Sequence, residues 1–165
     1  MLEAPTIRLA RPDDHPAICA IVETADELHR DALPWLFRRP EGPPRPVEDF
    51  ADFFRGEKCA ALVADVGRVV GVAFVLLRSA PAVPLFHQQS YAVLDNIAVD
   101  PEFRRRGIGT KLTAGAVGWA RARGAAWLEL GVYEFNRDAI AFYDALGFQI
   151  LSHKLRMPLG GKADS

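Results

Sequence analysis

Cysteine is scarce. The chain has two, Cys19 and Cys59, too few for a disulfide framework and in no metal-ligand spacing. They read as small buried thiols kept reduced in a cytoplasm. An excess of either charge is also missing. Lys and Arg number 20 against 21 Asp and Glu, a net charge of −1, so no overall field draws the chain to nucleic acid or to a membrane. Neither an apolar run of spanning length nor a basic-then-apolar leader is found. A cytoplasmic protein with no metal, nucleic-acid or membrane partner is expected. Two phosphate-binding patterns are absent as well: the glycines follow neither G-x-x-x-x-G-K-[ST] nor G-x-G-x-x-G. With no internal repeat and no linker, 165 residues read as one domain over 1–165.

What is present centres on Leu94 to Thr110. Ile97, Ala98 and Val99 are apolar and strand-like, and Asp100-Pro101 stops the strand because Pro101 cannot donate to a ladder. Arg104, Arg105 and Arg106 follow, then Gly107-Ile108-Gly109-Thr110 opens a helix. Gly107 and Gly109 carry no side chain where a ligand would approach the backbone. Free N–H groups of the first helical turn and the positive end of its dipole make an anion site. Local positive charge in a neutral chain points to a small anionic ligand, a phosphate or pyrophosphate. The ordinary alternative for three arginines at a turn is a solvated face.

The pattern Arg104-x-x-Gly107-x-Gly109 after an apolar strand resembles the acyl-CoA pyrophosphate loop of the GNAT superfamily of N-acetyltransferases. Asp100-Pro101 and the later Asn136-x(6)-Tyr143-x(2)-Leu146-Gly147-Phe148 extend the resemblance, which covers roughly 6–158 with its sharp motifs in 94–148. It implies an α/β (α+β) fold: a mixed, mostly antiparallel central sheet flanked by helices, with two splayed parallel strands in the middle and a bulge in the central one. It implies acetyl-CoA as co-substrate, with the Ile97, Ala98 and Val99 backbone on the acetyl and pantetheine region. Arg104, Arg105, Arg106, Gly107, Ile108, Gly109 and Thr110 would lie on the pyrophosphate. Tyr143 matches the family tyrosine that protonates the departing thiolate and also lies beside the cofactor; Asn136 matches an asparagine near the pantetheine or phosphates. Each has an ordinary alternative: Tyr143 a core aromatic with its hydroxyl hydrogen-bonded, Asn136 a helix N-cap.

Along the chain, strands are expected at 6–10, 59–64, 69–77, 91–99, 126–132 and 148–157. The 59–64 and 69–77 pair is joined by the turn Asp65-Val66-Gly67-Arg68. Asp13 or Asp14 caps a first helix whose Ile18, Ile21, Val22, Ala25 and Leu28 share a buried face. Val47 to Arg55 forms a short helix with Phe50, Phe53 and Phe54 inward. The helix from Gly107 buries Ile108, Leu112, Ala116 and Trp119 and ends at Gly124. Asn136 caps the last helix, whose Ala139, Phe142, Tyr143 and Leu146 share a face. The proline-rich segment 30–46 is either a docked connector or a lid over the acceptor pocket, and 160–165 reads as a frayed end.

Acyl transfer to an amine needs a held thioester, an uncharged amine and a proton for the leaving thiolate. Asp95 is the candidate base, two residues before Ile97 and so on its strand face; satisfying a backbone group or an arginine is its alternative. Glu27 and Glu134 rank behind it. His29 reads as a surface histidine. Transfer from acetyl-CoA to a primary amine by direct attack is the expected function, with a small molecule or peptide as acceptor; a homodimer is suggested only by the resemblance, and the residues leave the oligomeric state open. A catalytically silent acyl-CoA-binding regulatory module is the alternative, and a nucleotide-phosphate protein the third. Acidic Glu23, Glu27 and Asp31 would attract a cationic acceptor; an ordinary charged helix surface is their alternative.

Overall fold

The computed structural model describes residues 4–42 and 44–160; the frayed end expected at 160–165 lies, past Gly160, outside them. Strands β1 (Thr6–Leu9), β2 (Cys59–Asp65), β3 (Val69–Ser79), β4 (Ser90–Val99) and β5 (Leu128–Glu129) form one sheet in that order. The first four pair antiparallel, and β4 pairs parallel with β5. Helices α1 (His15–Ala32) and α2 (Ala51–Arg55) cover one face, and α3 (Ile108–Arg121) covers the other, with Tyr143 of α4 (Arg137–Ala145) packed on the α3 side. This is the mixed, mostly antiparallel sheet with flanking helices that the resemblance implied.

The layers follow from side-chain periodicity. Ile18, Ile21 and Val22 of α1 recur at helical spacing and are buried with Val63, Val72 and Phe74. Phe50 closes that core, with the half-buried Phe53 and Phe54 against it. Ile108, Leu112 and Ala116 of α3 pack on Leu62, Val70 and Ala73 from the opposite face. β2 and β3 are buried on both faces and read as nearly unbroken apolar runs. Gly71 of β3 lets α3 sit close, since a Cβ there would meet Leu112 Cδ1 at 3.0 Å and Ile108 Cγ2 at 3.1 Å.

Four expectations change. Asp14 precedes α1 but makes no side-chain cap bond; its carboxylate takes the Arg8 guanidinium at 2.6 and 2.9 Å and the Arg11 N–H at 2.7 Å. A charged two-point partner outcompetes a helix N–H. Leu28 is half exposed instead of buried, because the far end of α1 runs beside α4 and the chain leading into it, away from the core. The strand expected at 126–132 shrinks to Leu128–Glu129. The strand expected at 148–157 forms no ladder, so β5 is the sheet's edge strand.

Candidate active site

The parallel ladder pairs Ala92 with Leu128 and Val93 with Glu129, and stops there. Beyond it, β4 continues to Val99, paired on its β3 side through Ile97–Ala73, Ala98–Val72 and Val99–Gly71. The opposite edge of Ile97 to Val99 has no strand partner among the described residues. The two parallel strands therefore part, leaving a seam along β4.

A bulge lies at the point of parting. Phe74 pairs with Asn96 and Val75 with Leu94, which leaves Asp95 as the extra residue. The bulge reverses the alternation, so Leu94 and Ile97 both face the α3 core. Strict two-residue alternation therefore does not hold between Asp95 and Ile97, and the face argument for Asp95 fails. Asp95 itself is exposed and makes no hydrogen bond or ion pair among the described residues.

After β4, Asp100 closes a one-turn 3-10 helix, Pro101–Phe103, by accepting from the Glu102 N–H. Arg105 then adopts φ 61 and Gly107 φ 75. Gly107 is the N-cap of α3 and supplies no side-chain cap. From Arg105 to Thr110 no backbone N–H finds an acceptor among the described residues. Successive amides turned inward by left-handed residues make a concave donor set suited to an anion. Arg104 is partly committed, with Nε on the Val99 carbonyl at 3.1 Å and Nη2 on Thr24 Oγ1 at 3.2 Å. Arg106 lies over the Phe103 ring, 5.2 Å from its centroid. Gly109 differs from expectation. A Cβ there would meet the Phe142 ring at 3.1 Å, so its missing side chain seats α4 against α3, while its N–H stays free.

Asn136 caps α4, its Oδ1 accepting from Ala139 N–H at 3.2 Å. Tyr143 packs between Phe142 and Phe148, with centroids 5.2 and 5.5 Å away. Burial pushes its phenol up to about 12. Its hydroxyl makes no hydrogen bond among the described residues and is not sealed from solvent. The core-aromatic alternative required a bonded hydroxyl.

Of the other carboxylates, Glu134 pairs with Arg137 at 2.7 Å. Glu27 faces Arg39 at 3.6 Å, and Glu23 pairs with Arg30. Arginines thus already meet two of the three acids thought to draw in a cationic acceptor. His29 was missed. Its Nδ1 donates to the Ala25 carbonyl at 2.7 Å, and its ring meets Phe37, Tyr133 and Phe135 at 5.4–5.6 Å. This cluster brings 27–37 together with the chain that follows β5. Aromatic residues at 37, 133 and 135 were the only signal in the sequence, and nothing local tied them to His29. The 30–46 segment is held to α1: Arg45 pairs with Asp26 at 2.6 Å, and its carbonyl meets His15 Nε2 at 2.9 Å. That favours the docked connector. Cys19 and Cys59 are free thiols, pushed up by burial.

The model of the acetyltransferase (GNAT) family matches residues 23–148. A ribosomal protein bS18-alanine N-acetyltransferase of Salmonella typhimurium is 47% identical over 57 residues, 34% of this chain and 38% of that protein. The chain spans well under half the length of the first curated relatives it matches. The tetramutant BH1408 protein of Bacillus halodurans has a TM-score of 0.86 at 26% identity, over 93% of this chain and 99% of that one. Aminoglycoside N-acetyltransferase AAC(6')-Iy in complex with CoA shares the fold, with a TM-score of 0.62 at 19% identity over 93% of this chain and 98% of that one. The matched span runs from α1 through α4 and contains the parted strands and the run of free amides; the chain belongs to the acetyltransferase (GNAT) family.

Proposed function

We propose that the protein is an N-acetyltransferase that moves the acetyl group of acetyl-CoA to a primary amine by direct attack. The observation that carries this reading is the parting of β4 from β5 beside the acceptorless amides of 105–110. An extended donor with a diphosphate at one end and a thioester at the other fits that layout. The amides and the side chains of Arg104, Arg105 and Arg106 take the diphosphate, and the free edge of Ile97 to Val99 takes the pantetheine arm. Binding the long tail fixes the thioester carbon, which is catalysis by proximity. One N–H of that edge holds the carbonyl oxygen as it gains charge. Asn136 lies at the start of α4, where it both caps the helix and lines the donor's path.

In the transfer, the amine nitrogen bonds to the thioester carbon, the C–S bond breaks, the amine loses a proton and the sulfur leaves as thiolate. Tyr143 donates toward that sulfur, and its unpartnered hydroxyl supports a turning-over enzyme against a silent binder. Asp95, exposed and unpaired at the bulge, is the group that takes the amine proton. The His29, Phe37, Tyr133 and Phe135 cluster lies at the open end of the seam and forms one wall of the acceptor site. A small-molecule or peptide amine, one domain over 1–165, a cytoplasmic setting and a homodimer complete the reading. No helix among the described residues is long and apolar enough to cross a membrane.

Calorimetry with CoA and with ATP tests the donor site. Both carry phosphates, but only CoA has the arm for the seam, so CoA should bind about tenfold or more tightly, a difference of roughly 1.4 kcal/mol. Equal affinity would show that the seam takes no pantetheine and overturn the assignment. CoA binding with no thiol release for any amine offered would favour the regulatory module.

A further inference from the structure

Near the end of α1 one ring nitrogen is left without a protein partner. His29 Nδ1 donates to the Ala25 carbonyl at 2.7 Å, and a carbonyl can only accept, so in the neutral ring Nε2 carries the lone pair. Nε2 has no partner among the described residues and is not sealed from solvent. Around it stand Phe37, Tyr133 and Phe135, each ring edge-on or tilted to the imidazole. The apolar surface continues outward, with Leu28, Leu36, Val132 and Tyr133 39–49% exposed. An apolar patch with one accessible acceptor atom in it has the make-up of a small-molecule site.

The patch is joined to the candidate site. Tyr133 and Phe135 lie between β5 and the cap of α4, and the Asn136 N–H donates to the Tyr133 carbonyl at 2.9 Å. Phe135 also lines an open cleft of about 240 Å³ with Leu28, Asn136, Arg137 and Asp138. A cavity of about 150 Å³ already holds a benzene ring, so the cleft has room for a ring and a short linker. Charge points the same way. Of the acids in 23–38 and 131–138, Glu23, Asp26, Glu27 and Glu134 pair with arginines. Asp31 and Asp138 have no ion pair among the described residues, and neither has Arg38. A polycation, which draws on several free carboxylates, therefore meets a nearly neutral surface. A single amine on a flat apolar body meets rings to pack against and one lone pair to bond.

We propose that the acceptor is a primary amine joined by a short linker to an aromatic ring. The ring lies in the cleft against Phe135 and Leu28, and an N–H of the amine donates to His29 Nε2. This rests on the transferase reading and names the class of its acceptor. A free arylalkylamine and a peptide N-terminus with an aromatic first side chain share that chemistry. His29 holds the amine, while taking its proton stays with Asp95.

Calorimetry on the full chain, with and without CoA, tests it with phenethylamine, the peptide Phe-Gly-Gly, butylamine and spermidine, alongside nitrogen NMR of the histidine rings. The tighter of the two aromatic amines should bind at least about tenfold better than butylamine or spermidine and should move the His29 Nε2 signal. Which of the two is tighter tells a free amine from a peptide. His29→Phe keeps a ring and removes the lone pair, and should weaken the aromatic amine roughly tenfold. Leu28→Ala, at a half-exposed position, should cut the preference for a ring about threefold. The binding series on the unaltered chain needs neither variant. No binding of either aromatic amine, equal or tighter binding of butylamine or spermidine, or an unmoved His29 signal would each overturn the proposal. Thiol release from acetyl-CoA with the same amines separates this from the reading beneath it. Aromatic preference in binding with no release for any amine would sustain the cleft and overturn the transferase. Release with spermidine preferred would sustain the transferase and overturn the cleft.

Discussion

Tyr143→Phe removes one hydroxyl from a ring that stays packed between Phe142 and Phe148. That hydroxyl has no hydrogen bond among the described residues, so its loss should change stability by less than about 0.5 kcal/mol. The effect on turnover follows from acidity. Burial holds the phenol near about 12, whereas an ordinary thiol titrates near about 8.5. Full proton transfer to a free thiolate is therefore uphill by roughly 3–4 pH units, about 5 kcal/mol. Tyr143 contributes instead as a hydrogen-bond donor to sulfur as charge builds. A hydrogen bond to a charged group contributes about 1.5–3 kcal/mol, or a roughly 10–150-fold fall in kcat on its removal. Thiol release under saturating donor measures this, with CoA affinity expected to stay within about twofold. The raised phenol also sets a pH signature. The neutral form is favoured in the fold, so its contribution to stability is complete below about pH 10 and is lost as pH rises toward about 12. The phenylalanine variant should lack that alkaline loss. A kcat within twofold of the parent, or a stability loss above about 2 kcal/mol, would show the hydroxyl to be structural and refute the reasoning.

Arg105 sits at φ 61, a region that costs a residue with a side chain about 1–2 kcal/mol. Arg105→Gly should raise the urea midpoint by the equivalent of roughly 0.5–1 kcal/mol, after the greater freedom of unfolded glycine is subtracted, and should weaken CoA binding several-fold; a less stable variant that binds CoA normally would separate the strain from the site. Asp14 is held below its ordinary carboxylate value, first by its bond to Arg8, so its contribution is present above about pH 4 and lost as pH falls through its folded value. Asp14→Asn should cost roughly 1–3 kcal/mol at pH 7 in chemical unfolding, with the gap to the parent narrowing as pH falls below about 4; a gap that persists under acid conditions would point to packing instead.

Much of the fold was legible because its signals are local. The α1 face, the Asp65–Arg68 turn and the α3 entry at Gly107 each depend on side-chain periodicity or backbone freedom within a few residues. The Asn136 cap did too, and it formed as read. The Asp14 cap failed because Arg8 takes the carboxylate, and what fixes Arg8 there is its second partner, Asp65, 57 residues away, with Oδ2 at 2.8 Å. Leu28 failed in the same way: helical spacing gives the face, but only the tertiary arrangement says where the core ends.

The amides of the candidate site were legible residue by residue, whereas the parted strands and the bulge came only through the family resemblance, and the reason is physical. A pattern of Val, Leu and Ile shows that a strand can pair; it does not show where a ladder stops. Here it stops after Val93 and Glu129, and the bulge at Asp95 turns β4 at that point. Between Ala126 and Val132 only Gly131 is weak in a strand, and it lies past the last ladder pair, so it does not mark where the parting begins. The same logic explains the missing strand at 148–157. Its composition promises a β partner, and the promise stands whether that partner lies in the same chain or in another. The parting leaves β5 held to β4 by a two-residue ladder.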